Sequence, residues 1–194
     1  MMTESDEYLD KIILPSSLYR EIEHRVVDMF YQNSIHSVPI DPFEIAKNEG
    51  FELVPFSELR KDLKETVKND EYDGMSFHYA PANKFIIFYD DSQSFPRQRF
   101  TLFHEFGHIY MGHKEESALA NKIANYFAAY AIAPLPLILK YKCNSIPDIQ
   151  NTFHTSTETA GYRFDSYSKW LMYKRITPND ERLLKLFNSE EVTI

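Results

Sequence analysis

At 194 residues, with 43% hydrophobic, 15% aromatic and 26% charged side chains, the chain can bury a sizeable core and is too apolar and aromatic to remain disordered. Its formal net charge of -8 is the reverse of what a phosphate-binding surface needs, and its single cysteine, Cys143, excludes an internal disulfide and a cysteine zinc cluster. One domain, or one domain with a small appendage, in a reducing cytoplasm is expected.

The opening "MMTESDEYLDK" is acidic and polar where a secretory signal is basic and then apolar, and no apolar run is read as approaching the ~20 residues of a membrane span. From Ser16 to Phe30 the apolar residues Leu18, Ile22, Val26, Met29 and Phe30 recur at helical spacing. In "IDPFEIAKNEG" a short second helix is predicted, with Asp41 as cap, Pro42 at the first helical position, Glu44 closing a capping box and Gly50 as terminator. "FELVPF", "GMSFHYA" and "KFIIFYD" are short β-branched or aromatic runs between turn formers, which predicts three strands of one small sheet.

Two longer helices follow, about Ser94 to Gly112 and about Glu115 to Ala133, halted by Pro134 and Pro136. Within the helical remainder, "IPDIQNTFHTSTETAGYRF" predicts a helix pair with Thr155 as N-cap of the second member, and "NDERLLKLF" a last short helix. Helices, a small sheet and then helices make an α+β chain. The helix pair could read DNA directly, but the charge of -8 argues against it, and no direct nucleic-acid or membrane partner is expected.

The chemistry lies in "RFTLFHEFGHIYMGH", Arg99 to His113. On a helix, residues i and i+4 share a face, so His104 and His108 can aim imidazole nitrogens at one point, as two zinc ligands do. Glu105, ~100° around the axis, can reach an activated water as general base. Two core histidines hydrogen-bonded within an apolar helix are the bland alternative, but a buried glutamate between them is costly without a cation. The pattern that places a glycine three residues and a third histidine six residues beyond the second histidine is absent, because Met111 and Lys114 stand there. Gly107 suggests close approach of a strand or substrate.

Four stretches, "PIDPFEIAKNEGFEL" (39–53), "RQRFTLFHEFGHIYMGH" (97–113), "ANYFAAYAIAP" (124–134) and "FHTSTETAGYRF" (153–164), resemble the ImmA/IrrE family of metallo-endopeptidases. The resemblance implies a zincin-like fold with a small N-terminal sheet, helices packed on it, the HExxH helix and a helical C-terminal part. The corresponding division is a metallopeptidase domain over 1–140 and a helical extension over 141–194. It also implies a cytoplasmic Zn2+ endopeptidase, of a kind often carried by bacteria and mobile elements, whose protein substrate is a helix-turn-helix repressor. His104 and His108 would be metal ligands and Glu105 the catalytic base.

The family's third ligand is a glutamate directly before the A-N-x-F-A stretch, where this chain has Ile123, and an acidic residue frequent two positions earlier is replaced by Asn121. Glu115, Glu116, Asn121 and His113 are the nearby substitutes. A pseudoprotease that binds proteins without cutting them is therefore the alternative function. By analogy with related zinc proteases, Tyr126, Tyr130 or His154 could donate to an oxyanion, against packing or turn roles, and "KFIIFYD" could be an edge strand that pairs with substrate.

Overall fold

A computed structural model describes residues 12–69, 73–115, 117–173 and 176–188. Helix α1 (Ser16–Gln32) buries Ile22, Val26, Val27, Met29 and Phe30, so the helical spacing of its apolar residues becomes one core-facing stripe. Helix α2 (Pro42–Glu49) starts as expected: the Asp41 carboxylate accepts the Phe43 amide, Pro42 occupies the first turn, and Gly50 ends the helix at φ 71°. Strand β1 (Glu52–Pro55) is followed by a polar helix that the sequence did not suggest, α3 (Lys61–Asn69).

Strands β2 (Gly74–Tyr79) and β3 (Lys84–Tyr89) complete a three-stranded sheet in the order β1-β3-β2, with β1 parallel and β2 antiparallel to β3. "KFIIFYD" is therefore the middle strand. The edge expectation fails for β3 because both of its sides are already paired, and β2 is an edge instead.

The HExxH helix is α4 (Phe95–Met111), closed by Gly112 at φ 69°. Helix α5 (Ala118–Ile132) begins later than expected, because Ser117, not Glu115, caps it by accepting the Ala120 amide. Helix α5 folds back on α4, and the two axes come close at Gly107. A Cβ there would lie 2.9 Å from the Ala124 Cα and 3.1 Å from the Phe127 Cβ, so the close approach that Gly107 serves is a neighbouring helix, not a strand or substrate.

Helix α6 (Leu135–Lys140) follows Pro134. The stretch Ala118–Lys140 is after all long and apolar enough to cross a membrane, but 78% of its most apolar window is buried inside the fold. The remaining helices are α7 (Ile146–Phe153), α8 (Thr157–Tyr173) and α9 (Pro178–Asn188). Ser156, not Thr155, caps α8 by accepting the Thr159 amide, and Thr155 is buried. One continuous hydrophobic cluster runs from Leu14 through α1, α4 and α5 to Phe187.

Arg99 fixes the N-terminal half of α4 in this core. Its guanidinium donates to the carbonyls of Phe153 at 2.7 Å and Ile40 at 2.6 Å, tying α4 to the end of α7 and the entry to α2. Burial pushes its pKa down to about 10, still far above neutrality, so the clamp stays charged.

Candidate metal centre and active site

A cavity of about 730 Å3 opens between β2, α4 and the start of α5. His104, Glu105 and His108 line it together, on the exposed side of a helix whose opposite residues Leu102, Phe103 and Phe106 are fully buried. The Nε2 atoms of His104 and His108 stand 3.0 Å apart. Two nitrogens bound to one tetrahedral zinc at ~2.05 Å would be ~3.3 Å apart, so the pair fits two corners of such an ion with little movement.

Asn125 sets the tautomer. Its Oδ1 lies 2.8 Å from His104 Nδ1, and since an amide oxygen only accepts, Nδ1–H donates and Nε2 keeps the lone pair that a metal needs. His113 Nδ1 lies 3.1 Å from His108 Nδ1 and holds the second ring from behind. Burial first, then the neighbouring His108, pushes His104 down to about 4, and burial followed by His113 does the same to His108. Both rings are neutral at pH 7, the form that donates to a cation.

Glu105 is only 6% exposed, and the Ser76 hydroxyl donates to its Oε2 at 2.7 Å. Ser76 belongs to edge strand β2, so the same strand that borders the cavity steadies the carboxylate. Gly74 allows this: a Cβ there would lie 2.4 Å from Thr101 Cγ2 and 3.0 Å from the Phe88 carbonyl oxygen, so only glycine lets β2 settle against α4.

The other residues singled out in the sequence lie elsewhere. Tyr126 donates to Glu23 at 2.7 Å, on the far side of α5 from the cavity, and Tyr130 is buried beside it beneath the Arg163 guanidinium, 5.5 Å from its ring. Neither tyrosine lines the cavity, so the oxyanion role has no support for them. His154 is the left-handed C-cap of α7 at φ 48° and also lies off the cavity wall.

Ile123 is 7% exposed and belongs to the hydrophobic cluster, whereas Asn121 lines the cavity. Glu115 is an exposed residue at the cavity rim, and Glu116 lies outside the described residues. Among the described residues, no three His, Cys, Asp or Glu side chains converge as a metal cluster. Sequence reasoning missed Ser76 and Asn125. The spacing of Asn125 from Asn121 was a readable signal for the latter, but Ser76 depends on strand pairing and left none.

A family model described as Peptidase_M78, IrrE N-terminal-like domain, matches residues 61–165. The chain belongs to this family. The matched segment holds β2, β3, α4 and α5, and with them the whole cavity wall named above. No curated protein matches the chain. Membership supports a peptidase of the IrrE and ImmA kind, and the family's metallopeptidase chemistry suggests Zn2+.

Proposed function

We propose that the protein is a zinc-dependent endopeptidase of the ImmA/IrrE type that hydrolyses a peptide bond in a protein substrate, a helix-turn-helix repressor being the expected one. The observation that carries this is the 3.0 Å convergence of His104 Nε2 and His108 Nε2 on a cavity that Glu105 also lines. When bound, zinc supplies Lewis-acid polarisation of the scissile carbonyl and acidifies water.

The chain's own groups account for the rest. Asn125 and His113 orient the two rings toward the cavity. Glu105, held at Oε2 by Ser76, takes the proton of the attacking water and delivers it to the departing amine. The edge of β2, unpaired among the described residues, offers backbone groups with which an extended peptide could pair, which would lay the scissile bond across the cavity. The buried lone thiol of Cys143 suits a reducing cytoplasm.

Co-expression with a helix-turn-helix repressor tests this reading. Glu105→Gln is expected to keep the fold and to slow cleavage by roughly 100-fold or more. A variant that cuts as fast as the parent would contradict the proposal. A pseudoprotease is the second reading, favoured by the lack of a third His, Cys, Asp or Glu at the pair among the described residues. It predicts repressor binding without cleavage by parent and variant alike.

A further inference from the structure

The third protein corner of the site can be located from the phase of α5. Asn125 meets His104, and Gly107 meets Ala124, so α5 runs back along α4. One turn forward on α4 leads from His104 to His108, and one turn backward on α5 leads from Asn125 to Asn121. Asn121 therefore stands toward His108 as Asn125 stands toward His104, and it lines the same cavity. Ile123 is ~200° around the helix from Asn121, which accounts for its place in the core.

We propose that Asn121 occupies the third protein corner of the metal site, so that this chain holds its metal through two imidazoles and a neutral amide. The inference rests on the metal-centre part of the proposed function and moves the critical position from 123 to 121. An amide oxygen is a hard donor that can meet a divalent cation, but it cancels none of its charge, whereas a carboxylate cancels one unit inside a partly buried site.

Other carboxylates on the wall do not take its place. Asp73 is ion-paired with Arg97, Glu105 is held by Ser76, and Glu115 is exposed in the connection before α5. The expected result is a site that binds zinc more weakly than one with two histidines and a carboxylate, so that its occupancy follows the supply of metal.

The test is the Zn2+ affinity of the full chain, read by competition with a chromophoric chelator, for the parent, Asn121→Glu, Asn121→Asp, Ile123→Glu and the double variant His104→Ala/His108→Ala. At least one of the two Asn121 carboxylate variants is expected to bind zinc about tenfold or more tightly than the parent, the shorter Asp covering the case in which Glu overreaches. Ile123→Glu is expected to lower Tm with no gain in affinity, since its carboxylate enters the core. Unchanged affinity in both folded Asn121 variants, or a gain in Ile123→Glu, would overturn the assignment of position 121 while leaving the histidine pair intact. Zinc binding by the double histidine variant equal to the parent's would overturn the metal centre itself.

Discussion

On one side of α5, Asn125 turns with His104, Glu105 and His108 toward a cavity of about 730 Å3, while on the other side Tyr126 and Tyr130 turn with Glu23 and Arg163 into the packed interior. Both clusters bury polar side chains, and adjacent residues of one helix serve them. In the interior cluster the side chains turn on one another: the Tyr126 hydroxyl donates to Glu23, Arg163 Nε donates to the Ala133 carbonyl at 2.9 Å, and the guanidinium covers both tyrosine rings, while the Tyr130 hydroxyl and the two terminal Arg163 nitrogens find no hydrogen-bond partner among the described residues. In the cavity cluster the histidine nitrogens converge on a point that a ligand can reach. Convergence on an accessible point, and not burial or polarity, separates a site from a structural network.

Removing the interior cation should have the largest effect on stability. Arg163→Ala leaves the buried Ala133 carbonyl without its donor and the Tyr126 and Tyr130 rings without their cation and is expected to cost ~2–4 kcal/mol of stability, measured by denaturant unfolding. Zinc binding by the folded fraction should persist.

Gly107→Ala comes next. The added methyl would press on Ala124 and Phe127, and overpacking of ~1–3 kcal/mol should outweigh the ~1 kcal/mol gain in helix propensity. Because the same contact sets how α4 meets α5, zinc affinity should fall together with Tm. Asn125→Ala should do the reverse of Arg163→Ala: roughly 10- to 100-fold weaker zinc binding, because His104 loses its orienting partner, with little change in unfolding free energy.

The pH dependence sharpens the contrast with the smallest effect. His104 and His108 are pushed down to about 4 from 6.5, so between those values the unfolded chain binds more protons than the folded one. Stability of the metal-free protein should therefore fall as pH is lowered through that window. Glu23 has the opposite sign: burial, against the Tyr126 hydrogen bond, raises its pKa above 4.5, so its contribution is present below 4.5 and is lost as pH rises through the raised value. Urea titrations from pH 4 to 7 on His104→Gln and Glu23→Gln should flatten these two slopes separately.

Much of the fold was legible because its signals are local. Asp41, Pro42 and Gly50 bracket a helix by chemistry acting within one turn, and the three strands declare themselves as short runs between turn formers. The strand order was not legible, because pairing of β3 with both neighbours depends on contacts distant in sequence, and α3 escaped notice because its residues are mostly polar. The histidine pair and Glu105 were readable from spacing alone, whereas Ser76 reaches Glu105 only through the sheet register. Matching the position before A-N-x-F-A pointed to Ile123, but the face of α5 that meets α4 carries Asn121 and Asn125, four residues apart. Sequence position had to be converted into helix phase before the third corner could be located.

The measurement that bears most directly on the cavity cluster as a metal centre is zinc stoichiometry by elemental analysis. It should be made on the full untagged chain after zinc loading and desalting, beside the His104→Ala/His108→Ala variant. Zinc should be retained by the parent above the level in the variant, approaching one ion per chain as the loading concentration rises. Equal zinc in the two proteins at every loading concentration would contradict it.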